Sequence, residues 1–208
     1  MTSLMLATLT FERPVPIHDA LLVAQGLRRA TLSLCGPDAP SSLTGHEASG
    51  PAQGHRHPYW LPCDRHHDGT ISACLVLADD PQTLATIAQV THLVGPVPAM
   101  VNWEPTTPVQ ASEWVSATPW VPLRFPHGPA APAYIEQIQT ECGARGLPVP
   151  QVLAARPTEG WQTRPGWPRQ HILWHLQFPQ PILGPFALGR GAHSGLGLFQ
   201  PGSGEGRF

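Results

Sequence analysis

The chain is 208 residues long, is 41% hydrophobic and carries a formal net charge of −2. This length suits one domain of ordinary size or two of about 100 residues each. Its 12 basic residues, all arginine, are too few for a protein that binds nucleic acid through charge alone, because such proteins are strongly basic.

Two elements open the predicted structure. An apolar run over residues 4–11 predicts a strand. A helix is predicted over residues 20–35, with Asp19 at the N-cap position. Small or apolar residues recur along it at helical spacing: Ala20, Val23, Leu27, Thr31 and Leu34. We therefore expect these side chains to share one face of the helix.

Four further elements complete the first half. They are a strand over 58–62, a strand over 71–77, a helix that begins at Asp80-Pro81 and ends before Gly95-Pro96, and a strand over 97–102. Asp at the N-cap and Pro at the first position are typical of a helix start. The order β-α-β-β-α-β predicts a ferredoxin-like (RRM-like) domain over residues 1–103.

The second half has a similar but less regular order. After a Pro- and Thr-rich linker (104–112), the predicted elements are a strand over 114–123, a helix over 131–143, and strands over 149–154, 171–178, 182–188 and 196–199. This order predicts a second ferredoxin-like domain over residues 113–200, followed by a flexible tail (201–208). The expected fold class is α+β, with two tandem ferredoxin-like domains.

The cysteine pattern and the hydropathy of the sequence indicate where in the cell the protein is located. The four cysteines form no C-x-x-C pair, which favours reduced thiols. No apolar run approaches the ~20 residues that span a bilayer, and residues 1–15 lack a signal-peptide pattern. We therefore expect a cytoplasmic protein with no membrane partner.

A glycine-rich loop over residues 189–197 is the most informative segment of the chain. Its candidate contact residues are Gly189, Arg190, Gly191, His193, Gly195 and Gly197. Glycine permits a positive φ and lets an anion approach backbone N–H groups, and arginine can bind a phosphate through two hydrogen bonds. The spacing is not that of a dinucleotide-binding turn, and a strand rather than a helix follows.

A long loop after the first helix contains residues suited to proton transfer. Between residues 43 and 57 lie His46, His55, Arg56 and His57. RNA cleavage without a metal needs a base for the 2′-OH proton, an acid for the 5′-oxygen and a cation near the phosphate. Histidine suits both proton transfers because its pKa lies near neutrality. Arg56 and Arg190 would supply the positive charge.

Short motifs occur in order along the chain. They are LTGHEASG from Leu43, His55-x-His57, Asp68-Gly69, WVSATPWV from Trp114, RFPH from Arg124, GLPVP from Gly146, and the tail from Gly184-Pro185. In this combination the chain resembles the nuclease half of the type I-U (or I-G) CRISPR-associated protein that fuses a backbone subunit to a repeat-RNA endoribonuclease, a member of the RAMP superfamily. The resemblance covers most of residues 20–200.

The resemblance implies a fold and an activity. It implies tandem ferredoxin-like folds and a metal-independent endoribonuclease of CRISPR antiviral defence, with no cofactor. The enzyme would cut precursor RNA within repeats and leave 2′,3′-cyclic phosphate and 5′-OH ends. The catalytic histidine maps to His46 first and His57 second. Arg56 is a catalytic candidate on its chemistry alone, as the positive charge near the phosphate. The glycine-rich loop, with Arg190, maps to contact with the RNA backbone. His55 is a further candidate for RNA contact.

The resemblance also bears on partners. Repeat RNA is the implied partner, and other subunits of a type I interference complex are further candidates. Proteins of this type are longer and carry an N-terminal backbone-subunit half. The chain therefore corresponds to a free-standing nuclease or to an excised domain, and a scaffold role is not implied.

Two other functions fit the same residues. One is a non-catalytic subunit that binds repeat RNA. The other is a metal-dependent phosphohydrolase that uses the cluster from His55 to Asp68, although its spacings match no standard zinc finger and we assign no metal ligand. His171 and His175 are expected to serve structure or RNA packing rather than catalysis. The strand tryptophans are expected in the core, although an exposed ring could stack on a base: Trp60, Trp114, Trp120 and Trp174.

Overall fold

The computed structural model describes residues 3–47, 50–51, 57–66, 68–124, 130–161, 164, 167 and 170–202. The chain forms two compact units. Unit 1 comprises residues 1–107 and 193–195, and unit 2 comprises residues 108–192 and 196–208. The predicted flexible tail lies outside the described residues from residue 203 onward.

Unit 1 contains three helices and seven strands among its described residues. They are β1 (Ser3–Phe11), α1 (Ala20–Cys35), α2 (Ser41–Thr44), β2 (His46–Glu47), β3 (Gly50–Pro51), β4 (Tyr59–Cys63), β5 (Ala73–Ala78), α3 (Pro81–Ile87), β6 (His92–Leu93) and β7 (Ala99–Pro105). Five strands form an antiparallel sheet in the order β4-β5-β1-β7-β6, and β2 pairs with β3. Without the short β6, this is the ferredoxin-like order that the sequence predicts.

Local chemistry explains where the helices of unit 1 begin. The Asp80 carboxylate accepts hydrogen bonds from the N–H groups of Gln82 and Thr83 at the start of α3, as predicted. These bonds hold the pKa of Asp80 below its usual range. Asp19 makes no such cap, because its φ of −91° and ψ of 14° differ from the extended backbone that an N-cap needs.

The helices of unit 1 differ from the prediction at their ends. The predicted face of α1 is buried at Ala20, Val23, Leu27 and Thr31, whereas Leu34 in the last turn is exposed. Helix α3 ends at Ile87, well before Gly95, because the chain turns there and enters β6.

Unit 2 has one helix and five strands among its described residues. They are β8 (Val109–Ser116), α4 (Ala130–Ala144), β9 (Gln151–Thr158), β10 (His171–Gly184), β11 (Phe186–Ala187) and β12 (Leu198–Pro201). The antiparallel sheet has the order β11-β12-β8-β10-β9. Its last four strands again follow the ferredoxin-like order, and a 3₁₀ turn (Ala192–Ser194) precedes β12 where that fold has its second helix.

The strands of unit 2 begin and end at residues that differ from the predicted ones. The predicted strands 171–178 and 182–188 form one strand as far as Gly184, with a shift of register between Gln177 and Ile182. Two prolines in this interval, Pro179 and Pro181, cannot donate to the ladder, so the pairing is irregular there. The strand predicted over 114–123 instead covers Val109–Ser116.

The core of unit 2 confirms the structural interpretation of its tryptophans. Trp114, Trp120 and Trp174 are buried with Ile138 of α4 and Phe178 of β10. Trp60, in unit 1, is also buried. No helix among the described residues is long and apolar enough to cross a membrane.

Candidate functional site

The segment before His46 is anchored to the helices of unit 1. An Arg28 Nη of α1 donates to the Thr44 carbonyl at 2.8 Å, and the hydroxyls of Ser42 and Thr83 lie 3.0 Å apart. Gly45 then adopts a positive φ of 73°. A Cβ built on Gly45 would lie 3.8 Å from Nδ1 of His57. The backbone at Gly45, which leads into His46, therefore lies close to the His57 ring.

Three rings form a cluster in unit 1, which we call the histidine cluster (His57, Tyr59 and His193). The centroid of the His193 ring lies 3.8 Å from that of His57 and 3.8 Å from that of Tyr59. The interplanar angles are 36° and 27°. All three side chains are half-buried. The cluster thus joins two imidazoles, which are side chains suited to proton transfer, to one phenol ring.

Backbone contacts hold His193 in place. Nδ1 of His193 lies 3.4 Å from the Pro58 carbonyl oxygen, which can only accept a hydrogen bond. The proton of this bond therefore resides on Nδ1, and Nε2 is the nitrogen that gains or loses a proton. Gly195 has a φ of 95°, and a Cβ there would lie 3.2 Å from the Ala20 carbonyl oxygen and 3.0 Å from Pro62. This close approach fits only glycine.

The two imidazoles of the histidine cluster are electrostatically coupled. Two positive charges about 4 Å apart repel by about 1 kcal/mol in bulk water and about 4 kcal/mol at the effective dielectric constant of a protein surface. Protonation of one ring therefore opposes protonation of the other.

Other predicted catalytic residues are only partly described. His46 lies in β2, opposite Pro51 of β3, and its side chain lies outside the described part of the structure. His55 and Arg56 lie outside the described residues altogether. Their roles stay predictions.

In unit 2, the start of the glycine-rich loop is held by a carboxylate, which we call the Glu141 anchor (Glu141, Arg145 and Gly189). The Gly189 N–H donates to both carboxylate oxygens of Glu141, at 2.9 and 2.8 Å. An Arg145 Nη donates to the same carboxylate at 2.7 Å. Glu141 is 9% exposed, so its hydrogen bonds and its ion pair replace the water that burial removes.

Arg190 is partly engaged by the backbone. Its N–H donates to the Val121 carbonyl and an Nη donates to the Leu123 carbonyl, each at 2.9 Å. Its Nε is buried and has no hydrogen-bond partner among the described residues. Gly191 and Gly197 have φ values of 88° and 67°. The predicted glycines are thus required by the turn itself, and their contact with RNA stays a prediction.

Two residues of the possible metal-binding segment from His55 to Asp68 are poorly suited to bind a metal ion. Burial raises the pKa of the Cys63 thiol to about 12, which disfavours the thiolate that a metal needs. The Asp68 carboxylate accepts hydrogen bonds from the hydroxyl and N–H of Thr70. Within the described part of the chain, no three His, Cys, Asp or Glu side chains are placed to hold a metal ion. His55 and His67 are not described.

Neither a family model nor a curated protein matches this sequence. Solved structures do match. One titled "Crystal structure of Cas6b" aligns with a TM-score of 0.60 at 11% identity, over 97% of this chain and 100% of that chain. The fold is that of Cas6 and RAMP proteins.

Two more structures have the same fold. "CRISPR associated protein Cas6" aligns with a TM-score of 0.58 at 10% identity, over 98% of this chain and 100% of that chain. "An RAMP protein binding different RNA substrates" aligns with a TM-score of 0.58 at 12% identity, over 95% of this chain and 98% of that chain. At these identities, the likeness concerns the fold. It confirms the α+β architecture with two ferredoxin-like units that the sequence predicts.

Sequence reasoning assigned no role to Tyr59 or Glu141. The spacing of residues in the sequence nevertheless contained a signal for each of them. Tyr59 follows His57 by two residues at a strand start, and residues two apart in an extended segment share a face. Glu141 occurs at helical spacing from Tyr134 and Ile138, both buried, so a carboxylate on that face needs buried partners.

Proposed function

We propose that this chain is an endoribonuclease that cuts CRISPR precursor RNA within its repeats, without a metal ion. The observation that carries the proposal is the half-buried His57 imidazole close to the backbone at Gly45, which leads into His46, in a chain with the fold of Cas6. A histidine in this position has the chemistry that cleavage by proton transfer requires.

The reaction would use the 2′-OH of the substrate as the nucleophile. His57 or His46 accepts the proton of the 2′-OH, and the 2′-oxygen forms a bond to the adjacent phosphorus. The bond from phosphorus to the 5′-oxygen breaks, and that oxygen takes up a proton. The products are a 2′,3′-cyclic phosphate and a 5′-OH. Arg56 would stabilise the charge that develops on the phosphate.

Recognition of the repeat would depend on the glycine-rich loop and on RNA shape. Arg190 and the loop glycines, with His55, are the proposed contacts to the RNA backbone. Because the chain carries a net charge of −2, we expect a defined repeat structure to bind better than unrelated single strands. Other subunits of an interference complex stay proposed partners, and the cytoplasm stays the proposed location.

One experiment separates this function from its alternatives. Labelled CRISPR repeat RNAs from the source genome are incubated with the protein in EDTA and, in parallel, with Mg²⁺, Mn²⁺ or Zn²⁺. Cleavage in EDTA supports the proposal. Binding without cleavage in every condition would instead favour the non-catalytic RNA-binding subunit. Cleavage that appears only with added metal would overturn the metal-free mechanism.

A further inference from the structure

We infer that His193 is the general acid of the proposed cleavage, the group that protonates the leaving 5′-oxygen. This inference rests on the proposed endoribonuclease function. Sequence reasoning assigned His193 to RNA contact alone. The structure places its ring 3.8 Å from that of His57, although 135 residues separate it from Pro58 along the chain.

The separation of the two rings fits the reaction. The 2′-oxygen that attacks and the 5′-oxygen that leaves are bonded to the same phosphorus in the transition state. A base for one and an acid for the other must therefore lie close together. The two imidazoles of the histidine cluster meet this condition.

The neighbours of His193 favour it, over His57, as the protonated member of the pair. Among the described residues, the rings of His57 and Tyr59 contact the His193 ring. The Tyr59 ring stacks on His193 with an interplanar angle of 27°, and the negative face of an aromatic ring attracts a cation. The stacked Tyr59 ring therefore favours a proton on His193, and charge repulsion then opposes a second proton on His57.

The tautomer of His193 identifies the nitrogen that donates the proton. Nδ1–H donates to the Pro58 carbonyl, so the transferable proton is on Nε2. In the proposed step, the 2′-OH proton goes to His57 and a P–O2′ bond forms. The P–O5′ bond breaks, its electron pair stays on the 5′-oxygen, and that oxygen takes the Nε2 proton of His193. Exchange with solvent restores both imidazoles.

A chemically altered leaving group tests this role. The cut position is first mapped with wild-type protein, and sulfur then replaces the bridging 5′-oxygen at that position. A thiolate leaves without protonation, so this substrate does not need a general acid. We expect His193→Ala and His193→Gln to slow cleavage of normal RNA by about 10²-fold or more. Both variants should cut the sulfur-containing RNA at nearly the wild-type rate, whereas His57→Ala should stay slow on it.

The pH dependence is a second readout that a purely structural role would not change. In His193→Ala, the decline of the rate towards alkaline pH should disappear. Melting temperature and RNA affinity establish that the variants are folded, and His92→Ala, an exposed histidine of unit 1, is the control. An equal defect on both substrates, or wild-type cleavage of normal RNA by His193→Ala, would overturn the assignment. Failure of the wild-type protein to cut either RNA would instead refute the proposed function.

Discussion

The histidine cluster of unit 1 and the Glu141 anchor of unit 2 use polar side chains in different ways. In the histidine cluster, two imidazoles and a phenol pack ring to ring, and all three stay half-buried. In the anchor, a carboxylate that is 9% exposed is bonded to the backbone of Gly189 and to Arg145. The cluster has groups that can exchange protons with a ligand, whereas the anchor fixes the backbone of a turn.

This difference indicates how the two regions can be distinguished by experiment. Substitution in the histidine cluster should change the rate of reaction and leave folding nearly intact. Substitution of Gly197 or Arg190 in the glycine-rich loop should instead change stability or RNA affinity. The following substitutions test this difference between the histidine cluster and the glycine-rich loop.

The largest effect is expected in the histidine cluster. His57→Ala should slow single-turnover cleavage of repeat RNA by about 10²–10⁴-fold, because it removes a proton-transfer group. RNA affinity should stay within a few-fold of wild type. His46→Ala tests the other candidate base in the same assay, and His92→Ala is the control. Wild-type rates for both His57→Ala and His46→Ala would contradict the proposed mechanism.

The next largest effect concerns stability at the glycine-rich loop. Gly197 has a φ of 67°, and a Cβ there would overlap the carbonyl oxygen of Leu188. Gly197→Ala should lower the free energy of unfolding by about 3 kcal/mol through strain and overlap. For a chain of this size, the melting temperature should fall by roughly 6–12 °C.

Gly143 of α4 is the matched control for Gly197. A Cβ built there meets no atom within 4 Å, and its φ is not positive. Gly143→Ala should be neutral or should stabilise the protein by about 0.4–1 kcal/mol. Equal melting temperatures for the Gly197→Ala variant and the wild type would show that the loop does not require glycine at that position.

A smaller effect is expected for Arg190, which contacts a carbonyl and is also a candidate for phosphate contact. Arg190→Ala should lower the slope of log affinity against log salt by about one. Loss of its bond to Leu123 should lower the melting temperature by about 2–4 °C, which corresponds to about 1 kcal/mol. Arg190→Lys keeps the charge and should keep the salt slope. A wild-type slope in Arg190→Ala would refute the phosphate contact.

The smallest effect concerns His171, at the start of β10. Burial lowers the pKa of His171 below 6.5. As the pH falls through about 6.5, the unfolded chain therefore binds a proton at His171 before the folded protein does. The free energy of unfolding decreases from this pH down to the folded-state pKa of His171. His171→Phe should reduce the loss of unfolding free energy between pH 7 and pH 5. A constant difference between variant and wild type over this range would contradict the interpretation.

Much of the fold could be predicted because local signals agreed with the global order. Asp80-Pro81 begins α3, an apolar run forms β1, and the element order of unit 1 gives the ferredoxin-like sheet. Errors arose where tertiary pairing overrides local composition. Pro179 and Pro181 predict a break in β10, yet pairing with β8 resumes at Ile182.

The candidate site was harder to predict than the fold. Sequence spacing identified His57 and the glycine-rich loop separately. It could not place His193 against His57 and Tyr59, because that contact depends on the position of residues 193–195 in unit 1. Likewise, spacing could not show that a carboxylate of α4 holds Gly189, since the partners come from separate parts of the chain.

The identity of the nucleophile tests the central claim most directly. A repeat RNA with a single 2′-deoxy substitution at the scissile nucleotide is compared, in EDTA, with the same RNA substituted one nucleotide away. If the 2′-OH of the substrate attacks the phosphorus, the first RNA should be bound with unchanged affinity and left uncut, and the second should be cut. Efficient cleavage of the first RNA would contradict the account, because it would require an activated water as the nucleophile.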